Sequence, residues 1–156
     1  MRMARLSFIK RSRGKPQACR KRGSGNSMKR KDVKAVITYY FGIPAMRALL
    51  AQERAELGEE AAARNRLEEI AVRDQVLVMD REAIQGCLDA LKGEYKRLLS
   101  MRYQDRCSWV QITVQTGVPN RTARWRHDKA VDRLGEVLEE VPMVGELLSR
   151  ARCARD

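Results

Sequence analysis

The stretch SWVQITVQTGVPNRTARWR, residues 108–126, decides the fold because it has the pattern of two helices joined by a tight turn. Ser108 and Gln111 have the spacing of a capping box, which predicts the start of a short helix. Gly117 predicts its end, since glycine readily adopts the left-handed conformation that closes a helix. Pro119 suits the entry of the next helix, where its missing N–H costs nothing. The stretch therefore predicts a helix-turn-helix motif.

The second helix of this motif is predicted to be long and amphipathic, and to end before Pro142. Its apolar positions recur at alternating spacings of four and three residues, and they are Ala123, His127, Ala130, Leu134, Val137 and Val141. Asn120, Arg121, Arg124 and Trp125 fall on the opposite side of the first turns. Cations on the first turns of a second helix suit insertion into the major groove of DNA.

Residues spread over 99–134 match the pattern of a known family. They are Leu99, Arg102-Tyr103, Ser108-Trp109, Ile112, Gly117-Val118, Arg121-Thr122, Arg126, Lys129-Ala130 and Leu134. On these residues the motif resembles region four of bacterial sigma factors. It is still more similar to the C-terminal domain of phage late-gene transcriptional regulators of the RinA and ArpU type. The similarity covers residues 82–140 well and residues 33–81 loosely, and Thr113, Pro119 and His127 depart from the family pattern.

The resemblance implies a sequence-specific regulator that binds double-stranded DNA, a phage or prophage late-gene activator without enzymatic activity. The residues expected to contact DNA are Asn120, Arg121, Thr122, Arg124, Trp125, Arg126 and Lys129. Arg121 and Arg124 are expected at guanine edges or phosphates, and Arg126 and Lys129 at the DNA backbone. Asn120 is expected at an adenine edge or a phosphate. Trp125 is expected either at a thymine methyl group or sugar, or packed on a neighbouring loop.

Two other functions stay open at this stage. One is a protein that acts on RNA polymerase, either a late-gene antiterminator or a sigma-like factor. It is disfavoured because the first 80 residues offer few aromatic side chains for promoter melting, Phe8 and the run at 39–41. The other is a small terminase-like subunit for phage DNA packaging. Those subunits usually carry the motif first, whereas here it is C-terminal.

Positive charge is concentrated at the start of the chain. The net charge is +12, and residues 1–31 hold twelve Lys and Arg with no acidic residue. The remaining residues balance, because 32 − 12 leaves 20 basic side chains against 20 acidic ones. Residues 1–31 are predicted to be a disordered basic arm on nucleic acid phosphates. An incidental extension is an equal alternative, since Met28 could be the natural start.

The middle of the chain is predicted to be a helical region over residues 32–81, ahead of the motif domain at 82–141 and a tail at 142–156. Asp32 is expected to cap the first helix, and Gly42 with Pro44 to kink or break it. A break is also conceivable at 76–78, with Asp80 capping a new helix. Trp109 is expected in the core.

A seven-residue repeat suggests how the next helix packs. Ile70, Leu77, Ile84 and Leu91 form a seam like that of a coiled coil. It predicts either a homodimer or packing against residues 33–57, and the second is favoured because two or three heptads are few.

The sequence shows no pattern of catalysis, cofactor binding or metal ligation. It has one histidine, no paired-carboxylate motif and no phosphate-binding glycine loop. Its four cysteines lack the spacing of a zinc site, and Cys87 is expected to pack as a small apolar side chain. No stretch has the apolar length of a membrane span. The helical periodicity predicts an all-α protein. The motif and its resemblance imply a protein of the bacterial cytoplasm, with DNA, possible RNA polymerase and a possible second copy as partners.

Overall fold

The computed structural model describes residues 27–58 and 60–155, which form an all-helical protein without a strand in these ranges. The helices are α1 (Arg30–Glu56), α2 (Arg64–Asp89), α3 (Gly93–Leu99), α4 (Trp109–Thr116), α5 (Asn120–Leu138) and α6 (Val144–Cys153). A short 3-10 turn precedes α2, and a π-helical turn at Ser100–Gln104 follows α3. The predicted all-α class is confirmed. The arm predicted for residues 1–31 lies outside the described residues up to residue 26, and Arg30 and Lys31 already belong to α1.

Helix α1 is continuous, so the break predicted near Gly42 and Pro44 is wrong. Pro44 lies on the exposed side, while Val36, Ile37 and Ile43 are fully buried along the other side. Burial of that apolar face holds the helix together across the one hydrogen bond that proline cannot make.

The start of α1 also differs from the prediction, because Lys29 and not Asp32 precedes the first helical residue. Asp32 is buried in the first turn, and its carboxylate accepts a hydrogen bond from Nε of Arg152 at 3.2 Å. An acid in the first turn also interacts favourably with the helix dipole. Asp32 therefore ties α1 to α6.

Helix α2 is likewise continuous through residues 76–78, so neither a break there nor a cap at Asp80 exists. Ile70, Leu77, Ile84 and Leu91 are all buried, and α2 packs along α1. The repeat read from the sequence is thus an intramolecular seam. The domain boundary predicted after residue 81 falls inside this helix.

Two apolar clusters hold the helices together. The larger one joins α1, α2, α5 and α6, and it includes Leu147 and Ala151 from the segment predicted as a tail. The smaller one lies beneath the helix-turn-helix and comprises Leu98, Met101, Cys107, Ile112 and Ala123. Helix α5 contributes to both, so its first turns are fixed relative to the body of the protein.

The buried side of α5 follows the predicted stripe over its first half and then shifts. Ala123, His127, Ala130 and Leu134 are buried as expected. Leu138 then takes the core position, while Val137 and Val141 are only partly buried. The buried side shifts because a 3.6-residue period drifts from a strict alternation of four and three residues. The helix ends at Leu138, ahead of the predicted end.

Candidate nucleic-acid interface

The predicted start and end of α4 are confirmed in detail. The backbone N–H of Gln111 donates to Oγ of Ser108 at 3.2 Å, and the N–H of Ser108 donates to Oε1 of Gln111 at 2.7 Å. Gly117 has a φ of 70°, and its N–H donates to the carbonyl of Thr113 at 2.9 Å. Pro119 stands just before the first helical residue of α5, at the helix entry that the sequence predicts. Two helices joined by a tight turn are therefore present.

The packing of α4 against α5 fixes how the second helix is presented. Ile112 is fully buried against Ala123 in the smaller apolar cluster. The loop ahead of α4 is held by Arg102, whose Nη1 donates to the carbonyl of Cys107 at 2.8 Å. The side of α5 opposite Ala123 is consequently directed to solvent over its first three turns.

That solvent side carries a row of side chains at four-residue spacing. Arg121, Trp125 and Lys129 are all exposed, and Trp125 is 57% exposed. Nζ of Lys129 lies 5.7 Å from the centroid of the Trp125 ring. Neither Arg121 nor Lys129 forms an ion pair with a carboxylate of the described residues. Thr122 lies beside this row and is half-buried.

Arg124 is held at the edge of this row by two neighbours. Its Nε donates to Oδ1 of Asn120 at 2.7 Å, and its guanidinium carbon lies 5.3 Å from the ring centroid of Trp109. Arg102 also stacks on Trp109, at 4.8 Å. The oxygen of Asn120 expected at an adenine edge is therefore engaged by Arg124, and Asn120 acts first as a positioning residue. Trp109 is half-buried and packs against the smaller apolar cluster, so its predicted core placement holds for one side of the ring.

Arg126 is separated from the other predicted contacts. At 100° per residue it is rotated by roughly 140° from Arg121 around the helix axis. Its Nη1 lies 3.9 Å from Oε2 of Glu94 in α3. The structure thus groups Arg121, Trp125 and Lys129 on one face, with Arg124 at its edge, and turns Arg126 towards α3.

A further arginine contributes to this face, and no sequence pattern predicts it. Arg30 binds Asp132 through two hydrogen bonds of 2.6 and 2.7 Å, and its Nη1 lies 3.4 Å from Oδ2 of Asp128. The hydrogen bond from Arg30 lowers the pKa of Asp132 below its usual value. Arg30 thereby neutralises two carboxylates on the outer side of α5, just beyond Lys129. The spacing of Asp128 and Asp132 is visible in the sequence, but their partner in α1 is not.

His127 lies beneath the interface as a structural side chain. Its Nε2 lies 3.0 Å from the hydroxyl of Tyr103, its Nδ1 lies 3.3 Å from Oδ1 of Asp128, and its ring meets that of Trp109 edge-on. Burial lowers the pKa of His127, so the ring is neutral at pH 7. With its proton on Nδ1 facing Asp128, Nε2 accepts from the Tyr103 hydroxyl. This small network links α5 to the π-helical turn.

The fold and this face define a helical protein with a helix-turn-helix and a cationic, aromatic outer face on the second helix. No protein-family model, curated protein or solved structure matches the chain. Within residues 27–58 and 60–155, no group of three His, Cys, Asp or Glu side chains could hold a metal ion. None of the helices in the described part of the chain has the length and apolar character that crossing a membrane requires.

Proposed function

We propose that this protein is a sequence-specific transcription regulator that binds double-stranded DNA through the outer face of α5. The observation that carries the proposal is a set of cations without carboxylate partners, Arg121, Arg124 and Lys129, around the exposed ring of Trp125. They project from the first three turns of the second helix of a helix-turn-helix. This is the part of the motif that enters the major groove in DNA-binding proteins.

The absence of carboxylate partners for these cations favours a nucleic acid as the ligand. A cation that already has a carboxylate partner must give up that partner to bind a phosphate, whereas Arg121 and Lys129 need not. An exposed arginine can bind the two acceptors of guanine in the major groove, and a lysine can bind a phosphate. Trp125 presents an apolar surface of the kind that contacts a thymine methyl group or a sugar. The face therefore combines groups for affinity with groups for base recognition.

The biological setting follows from the resemblance of the motif. On the residues between Leu99 and Leu134 that match the pattern, we place the protein among late-gene activators of phages or prophages, acting in the bacterial cytoplasm. Arg102 and Trp109, two of the matching residues, lie on the contact that positions Arg124. The resemblance and the geometry thus concern the same surface.

The test is a binding selection on randomised DNA duplexes, performed with the full chain and with single variants. Arg121→Ala and Arg124→Ala should each relax the preference at one or two base pairs, since a bidentate base contact discriminates by roughly 1–3 kcal/mol. Lys129→Ala should lower the affinity evenly on all sequences. Arg126→Ala should do so more weakly, because its side chain faces Glu94.

Arg133→Ala is the matched control for this selection. Arg133 lies on the same helix, is exposed and binds Glu136 at 2.6 Å, so its removal should leave both affinity and preference unchanged. Wild-type preference and affinity in both Arg121→Ala and Arg124→Ala would refute DNA recognition by α5.

A second candidate function is supported by α4, whose outer side is apolar. Val110 is 67% exposed and Val114 is 76% exposed, one turn apart. Such a pair suits a protein surface better than phosphates, and RNA polymerase would be the partner to test. Under this alternative, Val110→Glu with Val114→Glu abolishes binding to RNA polymerase, while the α5 variants leave it intact.

A further inference from the structure

The outward side of α2 carries a second apolar stripe, separate from the seam buried against α1. Its members alternate at four and three residues, and they are Val72, Val76, Met79, Ala83, Gly86 and Ala90. Val72 is 64% exposed and Met79 is 59% exposed, and Gly86 and Ala90 are exposed as well. Alternation of four and three is the spacing at which two helices pack side by side. We call this set the α2 outer stripe.

The order of residue sizes in the α2 outer stripe selects one kind of partner. The three larger side chains occupy its first half, and the three small residues occupy its second half. The spacing is the same in both directions along the helix. In an antiparallel pair, Val72, Val76 and Met79 of one copy would therefore lie opposite Ala90, Gly86 and Ala83 of the other. A parallel copy would instead set large residues against large ones and leave gaps between the small ones.

Gly86 supports a closely approaching partner independently of the pattern. It lies inside a 26-residue helix, where glycine is less stable than alanine by roughly 0.5–1 kcal/mol. A Cβ atom added there would meet nothing within 4 Å, so the packing of this chain does not require glycine. A second helix that packs its valine at this position would require it.

The extent of the stripe agrees with a contact between two helices. At 1.5 Å per residue the stripe is about 27 Å long, and Leu49 of α1, 67% exposed, widens it where Val72 lines the same groove.

We propose that the α2 outer stripe is the contact between two copies of this chain, packed antiparallel about a twofold axis between Met79 and Ala83. The area that such a contact buries is at the lower end of the range for specific protein interfaces. We therefore expect a dissociation constant on the order of micromolar. The contact does not involve α5, so the proposal stands apart from DNA binding and is measured without DNA.

The first test is sedimentation equilibrium of the full chain over a concentration range that spans 1 μM to 1 mM, on the order expected for such an interface. Wild type should change from monomer to dimer. Met79→Glu should weaken association by at least about tenfold, since it buries a charge at the centre of the contact. Met143→Glu is the control, because it makes the same substitution at an exposed methionine just ahead of α6. A wild-type chain that stays monomeric throughout, or equal association in wild type and Met79→Glu, would overturn the proposal.

Gly86→Leu separates the dimer contact from the stability of the helix. Within one chain it should raise thermal stability, because leucine favours helix more than glycine and its Cβ atom meets nothing within 4 Å. Between two chains it should weaken association, since the space for Val76 of the second copy is filled. Association strengthened by Gly86→Leu would contradict the packing.

Discussion

The body of the protein and the outer face of α5 differ in how their arginines and lysines are used. In the body, arginines that join two helices have carboxylate partners, as in Arg47 with Asp74 at 2.6 Å and Arg150 with Asp80 at 2.7 Å. On α5, Arg121 and Lys129 have none among the described residues, and Arg124 contacts a neutral amide and an aromatic ring. Cations without a partner in the described part of the chain also occur on α2, so the α5 face is distinguished by unpaired cations that lie together beside an exposed tryptophan ring on the second helix of the motif.

The largest expected effect concerns the body. Asp80 is buried and receives hydrogen bonds from Tyr39 at 2.7 Å and from two nitrogens of Arg150. Arg150→Met would leave that carboxylate without its cation, and losing a partner of a buried pair costs about 3–5 kcal/mol. Because Arg150 is 39% exposed, we expect about 2–3 kcal/mol, the rest being screened by water. Urea unfolding measures it.

The matched variant on the other side of this comparison is Arg121→Ala. It removes an exposed cation that supports no other group, so the free energy of unfolding should stay within about 0.5 kcal/mol of wild type. Equal losses in Arg150→Met and Arg121→Ala would remove the distinction between paired structural cations and free ones.

Trp109 connects the two regions, and its removal should have the next largest effect. Complete truncation of a fully buried tryptophan costs about 3–5 kcal/mol, and Trp109 is half-buried, so we expect about 2–3 kcal/mol for Trp109→Ala. Trp109→Phe should keep the stacked ring for Arg124 and lose less stability. Thermal melts of the two variants give the comparison. An unchanged melting temperature in Trp109→Ala would show that packing of the Trp109 ring does not stabilise the fold.

The pH dependence of stability should reveal the network under α5. Burial lowers the pKa of His127, the one histidine of the chain, below its usual value near 6.5. As the pH falls through about 6.5, His127 becomes protonated in the unfolded chain but stays neutral in the folded chain. The free energy of unfolding therefore decreases below that pH. Denaturation at pH 7.5 and pH 5.5 measures this decrease. His127→Gln should abolish most of it, and an unchanged pH dependence in that variant would assign the effect elsewhere.

The smallest effect concerns Arg30, which neutralises Asp128 and Asp132 beside the binding face. Arg30→Gln should lower DNA affinity a few-fold, because two carboxylates would then repel phosphates at a distance that salt screens only in part. Combining it with Asp128→Asn and Asp132→Asn should restore the affinity. A triple variant as weak as Arg30→Gln alone would show that Arg30 contacts DNA directly.

What the sequence predicts well is local. Ser108, Gln111 and Gly117 act through their own backbone, so their spacing alone specifies the start and end of α4. The repeat from Ile70 to Ile84 likewise marks the buried side of α2. Ion pairs between distant helices are not predictable in this way, because no pattern in residues 128–132 indicates Arg30 as their partner. Tertiary burial also overrides local signals, as the uninterrupted α1 at Pro44 shows.

The candidate site was predicted residue by residue, but not its internal organisation. Spacing on a helix identifies which side chains share a face, and Arg121, Trp125 and Lys129 do. It does not show that Asn120 and Trp109 hold Arg124, or that Arg126 faces Glu94. Those contacts depend on how α3 and α4 pack against α5.

The central claim is that the unpaired cations of α5 bind DNA phosphates and bases, and the salt dependence of binding tests it most directly. Affinity for a fixed duplex is measured between 50 and 200 mM salt, a range over which roughly 0.9 ions are released per phosphate contact. The double variant Arg121→Ala/Lys129→Ala should reduce the slope of log affinity against log salt by about 1 to 2. The control Arg47→Ala/Arg133→Ala removes as much charge from paired positions and should keep the wild-type slope. Equal slopes in all three proteins would contradict the claim.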